Sequence, residues 1–469
     1  MTTLAKGTDL RLGVVRGISY GMYGEPERFV PQVRRLGAGL VRVYVYWSQI
    51  EPRPNRFTFD VVDALFEQLD GTEEVWVTVC SSSTWATRTP TTLLPPSPAK
   101  SLKRYQKFLR RLVEHCAGRV HYWQCDNEPS DNAMLWAGTA EEYVRQLAVL
   151  HGVVRETDPA AAVVLGGAPF LLPMYPPESH ERRFFDVLLR TGGDHFDLFD
   201  VHLYGPATAI PEHVETVRGL MREYGYEKPV VVGEYNGPWP ALFQDAMAVL
   251  AGPANAAGEG GRPAERAAMV ELYERRDTLP PTLRMFMSGC EPELERKRYR
   301  IACREIVMRN LLAFSAGVRR TVLWNLAPEA PGFANPLSMM DIMFRTFALM
   351  DFAGHELAVR HPSADAFELV ARALAGAEAV RRVDVPDRAD QYLFEVDRPG
   401  RGPLLVTWLD RDPFTGEDEP DVELDLPWSE PSAHAVDALG ATPAAEVLAG
   451  RVRLPVGVTP VFVTRSEGS

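Results

Sequence analysis

The sequence predicts a (β/α)8 barrel followed by an antiparallel β-sandwich, and three observations point there. Eight short β-branched runs recur over roughly the first three quarters of the chain, amphipathic segments separate them, and beyond about Leu357 the pattern changes to short alternating strands. At 469 residues the chain exceeds what one hydrophobic core usually serves, which favours two domains. We place a barrel over 1–356, with an insertion at about 238–300 between its seventh and eighth strands, and a sandwich over 357–469.

The strand runs are Leu12 to Tyr20, Leu40 to Trp47, Val75 to Ser82, Val120 to Glu128, Ala162 to Ala168, Phe196 to Tyr204, Pro229 to Tyr235 and Arg320 to Leu326. Between them, PERFVPQVRRLGA, DVVDALFEQLD, SLKRYQKFLRRLVEHC and AEEYVRQLAVLHGVVRET return apolar residues at helical spacing, so each can cover the outside of a barrel. An open doubly wound sheet fits less well, because no Gly-rich phosphate fingerprint follows the first strand. The link after the seventh strand is longer than a crossover needs. Its middle, AGPANAAGEGGRPAERAAM, is rich in Gly and Ala and is expected to carry a mobile loop beside extra helices. The segments QYLFEV, PLLVTWL, DVELDL, RVRLPV and TPVFVT supply the sandwich strands.

Composition narrows the partners. A net charge of -13 disfavours nucleic acid and anionic membranes, both of which need a basic face, and leaves a neutral or weakly charged substrate. Cys80, Cys116, Cys125, Cys290 and Cys303 have no paired spacing, so neither a disulfide framework nor a zinc site is expected. Cys80 and Cys125 read as small buried hydrophobes in strands. No pattern calls for a cofactor or a metal. The N-terminal MTTLAKGTDLRLGVV lacks the apolar stretch of a secretory signal, and no run is long enough to span a membrane, which predicts a cytoplasmic location.

In such a barrel the active site forms where the C-terminal strand ends converge, so the search reduces to those ends. The fourth strand, VHYWQCDNEPS, ends in Asn127-Glu128-Pro129, and the seventh, PVVVGEYNGPW, ends in Gly233-Glu234-Tyr235. Strands four and seven face one another across a closed ring of eight, which brings the two glutamates to one mouth. Cleavage of a glycosidic bond needs one carboxyl to protonate the leaving oxygen and another to meet the oxocarbenium-like centre from the opposite face. Glu128 and Glu234 supply that pair.

These residues resemble clan A of the glycoside hydrolases, retaining TIM-barrel enzymes that include β-xylosidase-like and cellulase-like families. Asn127-Glu128-Pro129 is similar to the clan's acid/base signature, and VVVGEYN resembles the context of its nucleophile, at Glu234. Asp126 departs from the pattern, since many members carry Trp or another large residue before the Asn-Glu pair.

The resemblance assigns a substrate site around the two glutamates. Arg42 in LVRVYVYW would hold the nucleophile ionised, the alternative being a salt bridge elsewhere. Asn127 would bond the sugar 2-hydroxyl, or serve structure alone. Alternation puts His202 and Tyr204 of FDLFDVHLYG on one inward face. Tyr204 would orient Glu234, while His202 is either a contact to the sugar and its polar shell or a satisfied core histidine. No second His or Cys stands at ligand spacing to make His202 a metal ligand. Trp324 in RTVLWNLAP would form the platform under the cleaved sugar. Of Trp47, Trp85, Trp136 and Trp239, all near strand ends, we place Trp85 in the substrate site; packing is the competing role for each. The stretch WSQIEPRPNRFTFD resembles a recurrent clan motif in which Glu51 is a structural carboxylate of the turn.

The resemblance implies double displacement through a covalent glycosyl-enzyme, exo-acting on a β-linked sugar, with an oligosaccharide or glycoside as the substrate partner. A transglycosidase using the same glutamates and a non-catalytic carbohydrate-binding homologue are the alternatives.

Overall fold

A computed structural model describes residues 9–130, 134–329 and 337–466, with backbone alone at 257–260, 262 and 343. The outermost residues of the two expected domains, 1–8 and 467–469, lie outside the described residues.

All eight expected barrel strands form: Arg11–Arg16 (β1), Leu40–Tyr46 (β2), Glu74–Cys80 (β3), Tyr122–Cys125 (β4), Ala162–Val164 (β5), Phe199–Leu203 (β6), Val230–Tyr235 (β7) and Arg320–Leu323 (β8). They run parallel in the order β5-β4-β3-β2-β1-β8-β7-β6. Bridges Val164–Leu198 and Ala168–Val201 join the two outer strands and close the ring. Several strands are shorter than the apolar runs suggested. The residues that leave the ladder, 126–128 after β4 and 165–167 after β5, run towards the mouth.

Alternation sorts the strand side chains. Val41, Val43 and Val45 of β2 and Val75, Val77 and Val79 of β3 point outward into the core shared with the helices. Leu40, Tyr44, Tyr46, Trp76 and Cys80 point into a separate inner cluster. The helices form where the sequence supplies caps and an apolar face. Leu102–Cys116 starts at Ser101, whose side chain accepts from the Arg104 N–H, and buries Tyr105, Phe108, Leu109 and Leu112. Ala140–Thr157 opens on a capping box of Thr139 and Glu142.

The link between β7 and β8 differs from expectation. The Gly/Ala-rich stretch read as a mobile loop is helical, within Gln244–Glu274, and the helix is interrupted at Gly261, where φ is 66°. Alanine is the strongest helix former and glycine accepts the left-handed break, so composition alone misled. The helix Pro292–Ser315 then returns the chain to β8. Among the described residues no helix is long and apolar enough to cross a membrane.

After β8 come a hairpin, Met350–Ala353 (β9) and Glu356–Arg360 (β10), and the helix Pro362–Ala373. The 356/357 division therefore falls inside β10. Antiparallel strands follow: Ala379–Arg382 (β11), Gln391–Asp397 (β12), Leu404–Leu409 (β13), Val422–Pro427 (β14), His434–Asp437 (β15), Glu446–Leu448 (β16), Arg451–Val456 (β17) and Val461–Thr464 (β18). They make a five-stranded sheet, β11-β12-β13-β18-β15, over a three-stranded one, β14-β17-β16. Leu405, Leu424, Leu454 and Val463 fill the space between the sheets. The other face of the larger sheet, with Phe394, Val406, Trp408 and Phe462, joins the main core that also holds Phe367 and Val370. The sandwich is thus packed to the barrel and does not hang from it.

Charge reinforces that junction. Glu417, in a sandwich loop, accepts from Arg300 at 2.8 and 3.1 Å and from Arg304 at 3.0 Å, all on the helix Pro292–Ser315. Burial opposes its charge, but these arginines and Lys297 outweigh it and hold the carboxyl down at about 2. A depressed carboxyl stabilises the fold above its unfolded value, about 4.3, and the contribution fades as pH falls towards 2. Glu417→Gln is expected to lower the unfolding free energy at pH 7 by about 1–3 kcal/mol. In urea titrations the gap between variant and wild type should narrow from pH 7 to pH 3; a constant gap would contradict this account.

Candidate active site

The site begins with a buried cation. Arg42 of β2 is fully enclosed in the barrel, where an unpaired charge would be prohibitive. Its Nε donates to Thr78 Oγ1 at 3.1 Å, Nη1 to Gly233 O at 2.8 Å and Glu234 Oε1 at 3.0 Å, and Nη2 to Gln124 Oε1 and Asn127 Oδ1, both at 2.8 Å. One guanidinium therefore ties together β3, the end of β4 and the end of β7.

Glu234 faces inward because β7 is irregular. Val201 of β6 pairs with Val232, yet the next residue, His202, pairs with Glu234, leaving one extra residue at Gly233. Strict alternation would turn Glu234 away from the axis; the bulge returns it. The Gly233 N–H donates to Asp200 Oδ1 at 2.5 Å. A Cβ at Gly233 would lie 2.3 Å from Asp200 Oδ2, so the bulge requires glycine. Glu128 reaches the mouth by another route. After β4 the chain turns through positive φ at Asp126 (50°) and Glu128 (39°), and Asp126 accepts from Ser81 N at 2.7 Å and Ser81 Oγ at 2.9 Å. Burial pushes Asp126 up to about 7 against those hydrogen bonds.

The two glutamates sit in unlike surroundings. Glu234, with its side chain 6% exposed, accepts from Arg42, from Tyr44 OH at 2.6 Å on Oε1 and from Tyr204 OH at 2.6 Å on Oε2. Burial favours its neutral form, but the His202 and Arg42 charges and the two hydroxyls prevail and hold the carboxyl below the usual glutamate range. Glu128, with its side chain 20% exposed, meets His202 Nδ1 at 2.6 Å through Oε1. One oxygen of Glu128 and one of Glu234 lie within 4.8 Å of each other.

His202 stands between them, fully buried, with Nδ1 also 3.4 Å from Glu234 Oε2 and Nε2 3.3 Å from Asp200 Oδ2. Burial alone would favour a neutral ring, yet Glu234, Asp200 and Glu128 push it up to about 10. The ring belongs to the polar shell of the carboxylates. Glu128, His202 and Glu234 offer three atoms at a spacing a cation could use, but the Arg42 guanidinium already sets a positive charge against Glu234.

Aromatic rings pack around the site. Trp324, after β8, meets Tyr44 edge to face at 6.0 Å. Tyr204 stacks on Phe347 at 5.9 Å and lies 6.3 Å from Trp239. Of the residues expected in the substrate site, Arg42, Asn127, His202, Tyr204 and Trp324 gather around the glutamates. Trp85 does not join them: it packs edge-on against Trp47 at 5.9 Å, in the layer beneath the helices, and donates Nε1 to Glu51 O at 3.1 Å. Trp47 and Trp136 are core residues, whereas Trp239 belongs to the inner cluster. Glu51 accepts from Trp47 Nε1 at 2.9 Å and Asn55 N at 2.7 Å, as a turn carboxylate should. Sequence reading overlooked Tyr44, Gln124 and Asp200. Each lies one alternation from a residue it did find or on an inward face, so period-two counting from Arg42 and His202 reaches Tyr44 and Asp200.

No profile of a known protein family matches the chain, and no curated protein matches it either. Solved structures do. A family 39 glycoside hydrolase from Bacteroides cellulosilyticus superposes with a TM-score of 0.61 at 13% identity, over 98% of this chain and 81% of that one. A family 39 β-xylosidase from Caulobacter crescentus gives 0.58 at 14% identity, over 98% and 96%. The catalytic domain of a family 30 xylanase from Talaromyces cellulolyticus gives 0.56 at 11%, over 98% and 97%. The likeness is one of fold: barrel and sandwich together.

Arg42→Met would strip the donor from Glu234, Gln124 and Asn127 at once. The Glu234 carboxyl is expected to titrate at least about one unit higher in the variant, since loss of an opposite charge at hydrogen-bond distance raises a carboxyl by about 1–3 units. Carboxyl-carbon NMR of labelled protein reads this directly, and an unchanged midpoint would remove Arg42 from its assigned role.

Proposed function

We propose that the chain is a retaining glycoside hydrolase, with Glu234 as nucleophile and Glu128 as general acid/base. The observation that carries the reading is the asymmetry of two glutamates facing one space. Glu234 is gripped by one guanidinium and two phenols and is kept ionised, whereas Glu128 is the more exposed and touches the imidazole. One oxygen of each glutamate lies within 4.8 Å of the other, a closeness that favours double displacement, with carboxyls roughly 5–5.5 Å apart, over an intervening water.

In the first step Glu128 gives its proton to the glycosidic oxygen, the bond from that oxygen to the anomeric carbon breaks, and a Glu234 oxygen bonds that carbon. In the second, Glu128 takes a proton from water, whose oxygen displaces Glu234. Asn127 holds its carbonyl oxygen towards Arg42, which leaves its amide nitrogen as the donor for the sugar 2-hydroxyl. Trp324 offers a face for the sugar's C–H groups. A β-linked sugar and exo action are the finer part of the proposal. The β-linkage is supported by fold likeness to a β-xylosidase over nearly the whole of both chains, and exo action is the part that the substrate screen must decide.

The test is a screen of aryl β-xylosides and β-glucosides. Glu234→Ala should lose at least about 10⁴-fold in kcat and regain turnover with azide, yielding the glycosyl azide of inverted configuration. Glu128→Ala should keep most of its kcat/KM on dinitrophenyl glycosides, lose kcat because the second step lacks its base, and give the azide product with retention. Rescue with the same stereochemistry in both variants would sink the assignment.

A further inference from the structure

Asp200 is a buried carboxylate on the inward face, beside both glutamates, that neither half of the proposed reaction uses. It is fully enclosed, and its oxygens reach three elements. Oδ1 accepts from Gly233 N at 2.5 Å, and Oδ2 accepts from Gln124 Nε2 at 2.7 Å and faces His202 Nε2 at 3.3 Å. Gln124 in turn accepts from Arg42, so Asp200 stands one residue from each half of the site.

The backbone makes room for this arrangement. A Cβ on Gly167, at the end of the fifth barrel strand, would lie 2.1 Å from His202 Nε2, and one on Gly233 would lie 2.3 Å from Asp200 Oδ2. Both glycines have ordinary negative φ, so turn geometry does not call for them. Space for the Asp200–His202 pair does.

Resting on the glycosidase reading, we propose that Asp200 is a positioning residue for the acid/base: by fixing the Nε2 edge of His202, it presents a protonated Nδ1 to Glu128. The groups facing the ring are Asp200 on its own strand, Glu128 from the end of β4 and Glu234 from β7, with Gly167 offering none. When Glu128 gives its proton to the leaving oxygen, the Nδ1–H bond stabilises the carboxylate left behind; when Glu128 takes a proton from water, that bond is relaxed. No electron pair or heavy atom moves in either adjustment.

The sign follows from charge. Removing the Asp200 anion lowers the proton affinity of His202, so the ring loses its proton at lower pH and Glu128 loses its charged neighbour there. Asp200→Asn should cost about tenfold or more in kcat/KM on a methyl β-glycoside, where acid assistance contributes about 10²–10⁴, and less than about threefold on the dinitrophenyl glycoside, where little is needed. The alkaline limb of the first substrate, which reports loss of the Glu128 proton, should move to higher pH, because a ring that has lost its charge no longer favours the Glu128 carboxylate. Equal losses on both substrates with an unmoved limb would mean a merely structural role and overturn the proposal. Should the variant not fold, nitrogen-15 NMR of wild-type His202 decides instead: both ring nitrogens protonated at pH 7 support it, and a neutral ring overturns it. The NMR arm needs no turnover, so a wild type inactive on every glycoside would refute the glycosidase reading while leaving the Asp200–His202 pair to be judged alone.

Discussion

The barrel is organised around one charge that cannot be left alone. Moving a guanidinium out of water costs several kcal/mol even after relaxation, and Arg42 recovers that cost through five hydrogen bonds, one of them to a carboxylate. Because the guanidinium is a rigid planar fork, its partners have little freedom: Thr78, Gln124, Asn127, the Gly233 carbonyl and Glu234 must converge on one plane. The ends of β4 and β7 are held in register across the axis by this requirement more than by any direct contact between them. Replacing the network with apolar residues of equal volume could leave a stable barrel. It would not leave one whose two glutamates face each other.

A second constraint follows from the first. Arg42 needs both the Gly233 carbonyl and the Glu234 carboxylate, and consecutive residues of a regular strand point to opposite faces. The bulge in β7 resolves the conflict, at the expense of an N–H that no longer pairs with the neighbouring strand. An unpaired buried amide costs about 1–3 kcal/mol, which Asp200 offsets by accepting from it. Aiming Glu234, satisfying Gly233 and holding His202 are thus three consequences of one carboxylate.

These relations explain what could be read from the residues. The eight strands were legible because outward valines repeat with period two beneath helical segments, and both glutamates were legible because strand ends face the mouth. Trp85 misled because a tryptophan just past a strand end can turn towards either layer, and Glu51 and Trp47 draw this one outward. The Gly/Ala-rich link misled because glycine content suggests a loop while its alanines favour helix. Asp200 escaped attention because alternation from His202 places it on the inward face without showing that it bonds Gly233 and Gln124, partners that the fold alone brings near. The bulge at Gly233 has no counterpart in a pattern of apolar residues, since it is set by long-range partners.

The charge balance of the site also bears on the order of events proposed for it. In the proposed resting state the Arg42 charge is set against the Glu234 carboxylate and His202 lies between Glu234 and Asp200, with Glu128 protonated for its first task. In the proposed reaction, formation of the glycosyl-enzyme would remove the charge of Glu234 just as Glu128 becomes a carboxylate, so a negative charge would leave one glutamate and appear on the other, within 4.8 Å. A fixed cation touching only one of them would favour one half of the reaction and oppose the other. His202 Nδ1 lies 2.6 Å from Glu128 and 3.4 Å from Glu234, and so follows the charge as it moves. As proposed, a single imidazolium anchored from behind by Asp200 would need no rearrangement between the two steps, which is what electrostatic preorganisation demands of a group that serves both.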